Sequence, residues 1–249
     1  HGSRGLGDVY KRQMKKQLFL LIVLSNFLWS ADNEISIDQS GATLNADIEQ
    51  LGSGNLIGGV LSTSGSMTPL DLDGTNMTLD INQIGSSNLF KGDINADNYI
   101  GFFEFSGSSN IFDIQTDPTN TYSTDGSNVN ISVTGTANDM SLDQGTAALA
   151  TTLDLDWIIN GSNNTIDSDI DVDLATNYMN VDGSDNTINY NGDGFQGGFF
   201  HLNHTGGSRT INVTQASTLD NDWLRVISNG SNGTFCIIQN DQGTATSCP

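Results

Sequence analysis

QLGSGNLI at 50–57 and QIGSSNLF at 83–90 are two copies of one element, in which alternating apolar residues run into a glycine, pass two small residues and resume alternation after an asparagine. Related copies are IDQSGATL at 37–44, DLDGTNMTL at 71–79 and FEFSGSSNIFDI at 103–114. Their glycines, Gly41, Gly52, Gly74, Gly85 and Gly107, follow one another in steps of 11, 22, 11 and 22. The element returns around Gly135, Gly161, Gly183, Gly206 and Gly230, with steps of 28, 26, 22, 23 and 24. A unit of about 22 residues made of two halves of about 11 leaves room in each half for a short strand, at ~3.3 Å per residue, and a turn. Apolar positions alternate with period two, as at Leu79 and Ile81 or Phe103 and Phe105, which excludes helical repeats. The chain therefore reads as all-β, a two-sheet β-solenoid of strand–turn–strand repeats. Roughly ten turns, rising ~48 Å, are expected from its length.

The alternation also says what lies inside. Leu79, Ile81 and Gln83 share one face, and a reversal at Gly85 brings Asn88 and Phe90 opposite them. One glutamine and one asparagine per turn make an odd globular core. In a stack of like turns about 4.8 Å apart, each amide can bond the same residue above and below. A lone buried asparagine costs free energy, whereas a ladder of them is satisfied. Glycine and small residues at the turns permit the positive dihedrals that a strand–turn–strand arch needs.

These residues resemble the curlin-repeat family, whose members form extracellular curli-type fibres and whose repeat runs Q-x-G-x-x-N. Gln50, Gly52 and Asn55 match that pattern in full, as do Gln83, Gly85 and Asn88. GSSNIFDIQTD at 107–117 is similar to a half-repeat, and the G-x-x-N part recurs at Gly135 with Asn138, Gly161 with Asn164, and Gly183 with Asn186. The leading glutamine is present at Gln39, Gln50 and Gln83 and replaced by Phe105, Val133, Ile159 and Val181 later. The asparagine gives way to Leu44, Arg209 and Gly233, and the family's second glutamine to Leu61, Ile94 and Ile170. The resemblance implies self-assembly through a ladder of Gln39, Gln50, Asn55, Gln83, Asn88, Asn110, Asn138, Asn164 and Asn186, strongest over residues 33–115. It implies a secreted structural protein of a bacterial cell surface, forming amyloid-type fibres for adhesion or a biofilm matrix, with outer-membrane secretion machinery as a further partner. The competing reading is a monomeric solenoid that binds a glycan, ice or another repetitive surface, for which outward threonine rows are the sign; threonine reads as scattered.

The chain of 249 residues carries 8 basic and 29 acidic residues, a net charge of −21. Arg4, Lys11, Arg12, Lys15 and Lys16 precede the first apolar run, so Lys91, Arg209 and Arg225 face 28 acids and the remainder stands at −25. That balance excludes nucleic acid as a partner. MKKQLFLLIVLSNFLWSA at 14–31 has the basic start, apolar run and small terminal residues of a signal peptide, too short for a comfortable membrane span. Residues 1–13 precede its initiator, Met14, and GDVYKRQ reads as a translated sequencing adapter. The mature chain is expected to be one solenoid over 32–249, capped around 223–249, with no membrane span. Cys236 and Cys248 suit a single disulfide in an exported protein.

No catalytic constellation stands out. The acidic runs DLD at 71–73 and 154–156 and DSDIDVD at 167–173 put their carboxylates on one outward strand face, a solvated surface rather than a hydrolase pair. His201 and His204, three apart on a strand, point to opposite faces and form no metal pair. NYNGDG at 189–194 lacks the closing glutamate of a calcium loop. No enzyme activity and no cofactor are expected, with diffuse calcium screening of the aspartate rows the one cation reading. Trp157, Phe199, Phe200 and Trp223 fit either the core or a glycan platform.

Overall fold

The computed structural model describes residues 34–58, 70–116, 125–145, 150–193, 197–216 and 222–240. They form strands and turns, with no helix among them. The strands are β1 (Glu34–Ile35), β2 (Asp38–Gly41), β3 (Leu44–Ser53), β4 (Leu56–Ile57), β5 (Leu70–Thr75), β6 (Met77–Ser86) and β7 (Leu89–Asp97). There follow β8 (Ile100–Ser106), β9 (Ile111–Thr116), β10 (Ser127–Thr134), β11 (Asp139–Gln144), β12 (Ala150–Thr151), β13 (Leu153–Asn160) and β14 (Thr165–Ile170). The last are β15 (Val172–Asp173), β16 (Thr176–Asp182), β17 (Thr187–Gly192), β18 (Phe199–Thr205), β19 (Arg209–Ala216), β20 (Trp223–Asn229) and β21 (Gly233–Asn240).

Every pairing among them is parallel and joins successive layers, which is the two-sheet β-solenoid that the period-two alternation predicts. The first sheet stacks eight strands in the order β3, β6, β8, β10, β13, β16, β18, β20. The second has eleven and runs from β1 through β4, β7, β9, β11, β14, β17 and β19 to β21, with β2 and β5 alongside. β12 and β15 pair with each other.

Eight layers in the first sheet, against the ten turns expected, follow from where the surplus residues go. β4 and β5 both pair with the single strand β7, at Leu56↔Leu89 and at Leu70↔Gly92. Together they make one rung of the second sheet, interrupted between Gly58 and Leu70. The stretch from Gly52 to Gly85 is therefore one layer carrying an insertion as long as half a repeat, and the even spacing of the first glycines mixes repeat with insertion. Gly41 accordingly pairs with Gly74, which in turn pairs with Ala96, in the second sheet, away from the other turn glycines. Gln39 faces Leu72 there, half-buried, and does not join the Gln50–Gln83 column as the ladder reading had it, because its half-repeat belongs to the opposite sheet.

The inward columns form the core. Leu79, Ile81, Phe103, Phe105, Ile131 and Trp157 of the first sheet meet Phe90, Ile94, Phe112, Ile114, Met140 and Ile166 of the second, all buried. Phe112 packs on Phe90, Phe103, Phe105 and Trp157 with ring centroids 5.4–6.3 Å apart. Each such ring contributes about 1.5–3 kcal/mol by leaving water. Trp157 and Phe200 are core residues, whereas Phe199 and Trp223 lie on the outward face of the first sheet, their rings stacked at 4.3 Å. β20 and β21 continue both sheets in register, and residues 241–249 of the expected cap lie outside the described residues.

Candidate functional site: the arch column

Each chain reversal from the first sheet to the second is built on the same four positions. Gly52, Gly85, Gly107, Gly135, Gly161, Gly183, Gly206 and Gly230 stack in one column, with φ between 129° and 152°. A Cβ on Gly85 would lie 1.2 Å from the carbonyl oxygen of Gly52, and one on Gly230 would lie 1.7 Å from that of Gly206. Both the dihedral and the approach of the neighbouring layer therefore require glycine. Two residues later a second left-handed residue completes the reversal: Ser87, Ser109, Ala137, Asn163, Asp185, Ser208 and Asn232 have φ of 44–60°. The sequence shows this position only as small or polar, and glycine fills it once, at Gly54.

The asparagine that follows turns inward and is buried at Asn55, Asn88, Asn110, Asn138, Asn164 and Asn186. Each Oδ1 from Asn88 onward accepts the backbone N–H of the asparagine one layer earlier, at 3.1, 3.0, 2.9, 3.0 and 2.9 Å. The Nδ2 groups of Asn138, Asn164 and Asn186 donate to the carbonyls of Gly107, Gly135 and Gly161, at 3.4, 3.3 and 3.0 Å. The column is thus mainly a bracket from side chain to backbone, which corrects the expected amide-to-amide ladder; one side-chain pair, Asn138 Nδ2 to Asn164 Oδ1 at 3.1 Å, has the expected form. The reason is geometric. The arch leaves a backbone N–H pointing along the stack, and a short amide reaches it before it reaches the next amide. Glutamine, one methylene longer, does pair with its like: Gln83 Nε2 donates to Gln50 Oε1 at 2.7 Å, both buried.

The column changes at its C-terminal end, where Arg209 takes the asparagine position and Gly233 the one after it. Below Arg209, His204 occupies the inner position held by glutamine in the early layers; it is fully buried, with neither ring nitrogen hydrogen-bonded. Burial first, and then the Arg209 charge, hold its pKa below the ordinary histidine range. His201 is on the outward face near Tyr178 and Trp223, so the two histidines are apart.

Outside, the aspartate rows are interleaved with amides. Asn95 donates to Asp73 and Asn191 to Asp169, each at 2.8 Å, Asn189 donates to Asp167, and Lys91 pairs with Asp113. Acids that remain close to one another are pushed up. Burial and then the charges of Asp169, Asp193 and Asp143 raise Asp171 to about 6, and burial with neighbouring aspartates raises Asp71, Asp93 and Asp143 as well. Threonine is not scattered on this face: Thr165, Thr187, Thr210 and Thr234 stand in register, a row hidden in sequence by its unequal steps. Cys236 lies in β21 and is disulfide-bonded, while Cys248 lies outside the described residues. No helix among the described residues is long and apolar enough to cross a membrane.

Among known proteins, residues 31–58 match the family described as the curlin associated repeat. That stretch holds β1 to β4 and the first arch, with Gln50, Gly52 and Asn55. No curated protein and no solved structure matches the chain.

Proposed function

We propose, taking the curlin repeat at 31–58 as the premise, that this is a secreted structural protein whose layers continue from one molecule to the next to form extracellular fibres. One observation carries the reading: the inward columns stay apolar at the first and last described rungs. Phe235 and Ile237, in register with the buried Ile211 and Val213, are 44% and 47% exposed. Ile35, Ile37, Leu44, Ala46 and Ile48 are only partly covered at the other end. Edge strands that carry apolar side chains into water invite a further strand, and parallel in-register pairing of a second copy would bury them as the interior layers are buried. The role proposed is structural and non-enzymatic, and the curlin repeat supports a place at a bacterial surface, in adhesion or matrix. At −25 the mature chain repels its own copies, so salt, or calcium along the aspartate rows, speeds assembly.

Light scattering and electron microscopy of the intact chain beside a Phe235→Asp, Ile237→Asp variant, in seawater-like salt, test this. Fibres from the intact chain and their absence in the variant are expected. Monomers in both over days would sink the fibre reading and favour a monomeric binding solenoid, to which the Thr165–Thr187–Thr210–Thr234 row gives independent support.

A further inference from the structure

The second sheet begins and ends on the same inward pattern. At its start β1 and β2 turn Ile35, Ile37 and Gln39 toward the core, half-buried between the exposed Ser36, Asp38 and Ser40. At its other end β21 turns Phe235, Ile237 and Gln239 the same way; they pair with the buried Ile211, Val213 and Gln215 and are themselves exposed. Each triplet reads apolar, apolar, glutamine in steps of two. Strand pairing carried from rung to rung places the two triplets in the same three columns. The glutamine of each is incompletely used within one molecule. Gln39 Oε1 is buried with no hydrogen-bond partner, and Gln239 gives one amide hydrogen to the Asp222 carbonyl at 3.2 Å and has a second to offer. Gln83 and Gln50 show how such a pair closes between adjacent layers, at 2.7 Å.

The rung count decides which edges can meet. β1 with β2, and β4 with β5, each fill one rung, so the eleven strands of the second sheet make nine rungs against eight in the first. Were β20 to pair with β3 of another copy, Gly230 on Gly52, β21 would need the edge of β4 and β5. That edge is already held by β1 and β2. We infer, resting on the fibre reading, that copies join head to tail through the second sheet, β21 of one against β1 and β2 of the next, with Phe235 on Ile35, Ile237 on Ile37 and Gln239 on Gln39. The joint buries the apolar pairs and closes a glutamine pair, as the interior layers do. It sets β20 and the next β3 two layer spacings apart, about 9.6 Å.

The test follows fibre elongation of the full chain by light scattering, with charges placed across the joint. Residues 39 and 239 stand eight layer spacings apart in one molecule, about 38 Å, so coupling between them is coupling between molecules. Gln39→Lys or Gln239→Glu alone should slow growth at least about tenfold, because each leaves an unpaired charge in the joint. The double variant, whose net charge equals that of the intact chain, should regain most of that rate. Ile37→Lys with Ile237→Glu repeats the test in the neighbouring column, and circular dichroism checks that each variant folds. Electron cryomicroscopy of intact fibres gives a reading that needs no variant: nine rungs per molecule make an axial repeat of about 43 Å, whereas β20 stacked on β3 makes about 38 Å. Single substitutions without effect in both pairs, double variants no faster than the singles, or the shorter repeat would overturn this register and leave the fibre reading standing. Monomers from the intact chain would overturn both.

Discussion

Removing one asparagine from the middle of the arch column should cost far more than removing one from its start. Asn164 Oδ1 accepts from the Asn138 backbone N–H at 3.0 Å and from Asn138 Nδ2 at 3.1 Å, while its own Nδ2 donates to the Gly135 carbonyl at 3.3 Å. In Asn164→Ala the buried N–H of Asn138 is orphaned, at about 1–3 kcal/mol, and two longer bonds are lost at about 0.5–1 kcal/mol each. The expected loss is about 3 kcal/mol. Asn55 is equally buried, but no earlier arch precedes it among the described residues and its Nδ2 has no partner. Asn55→Ala should therefore cost less than about 1 kcal/mol. Urea unfolding of the two variants under monomeric conditions gives the totals, and hydrogen exchange at the Asn138 amide locates the damage. If the two substitutions cost the same, or Asn164→Ala costs under about 1 kcal/mol, the bracket is not what holds the arches and the reasoning fails.

Ala137 has φ 57° in its arch, so Ala137→Gly should raise stability by roughly 1 kcal/mol; an unchanged urea midpoint would contradict the assigned turn. Asp171, raised to about 6, binds its proton more tightly folded than unfolded, so its contribution is favourable below about pH 4 and lost as pH rises through 6. Asp171→Asn should thus stabilise the protein by about 1 kcal/mol at pH 7, allowing for solvent screening of a half-buried group, and leave it unchanged at pH 4, as thermal unfolding at the two pH values will show.

Much of this architecture is legible in the chain because it is local and repeated. The period-two alternation at Leu79, Ile81 and Gln83 sets the inward face, and Gly-x-x-Asn marks each reversal. What the sequence hides is register. Once half a repeat is inserted between Gly58 and Leu70, equal spacing no longer means equivalent position, and Gly41, Gly74 and Gln39 look like members of a column they do not join. Uneven steps likewise conceal the row of Thr165, Thr187, Thr210 and Thr234, which only strand pairing aligns. Whether an amide reaches its like or the backbone depends on one methylene, and composition carries no sign of it. Arg209 reads in sequence as a lost asparagine, whereas in three dimensions it is a buried cation against the Phe235 ring.

Because each layer is bonded only to the layers on either side, tension applied at the two termini would load the inter-layer bonds in series and peel the stack one rung at a time. A rung of about 22 residues releases ~75 Å of extended chain when it comes away. From Gly85 onward the rungs differ in contour, with glycine-to-glycine steps of 22, 28, 26, 22, 23 and 24. The saw-tooth of a single-molecule pulling trace would then spell those intervals in the order in which the rungs yield.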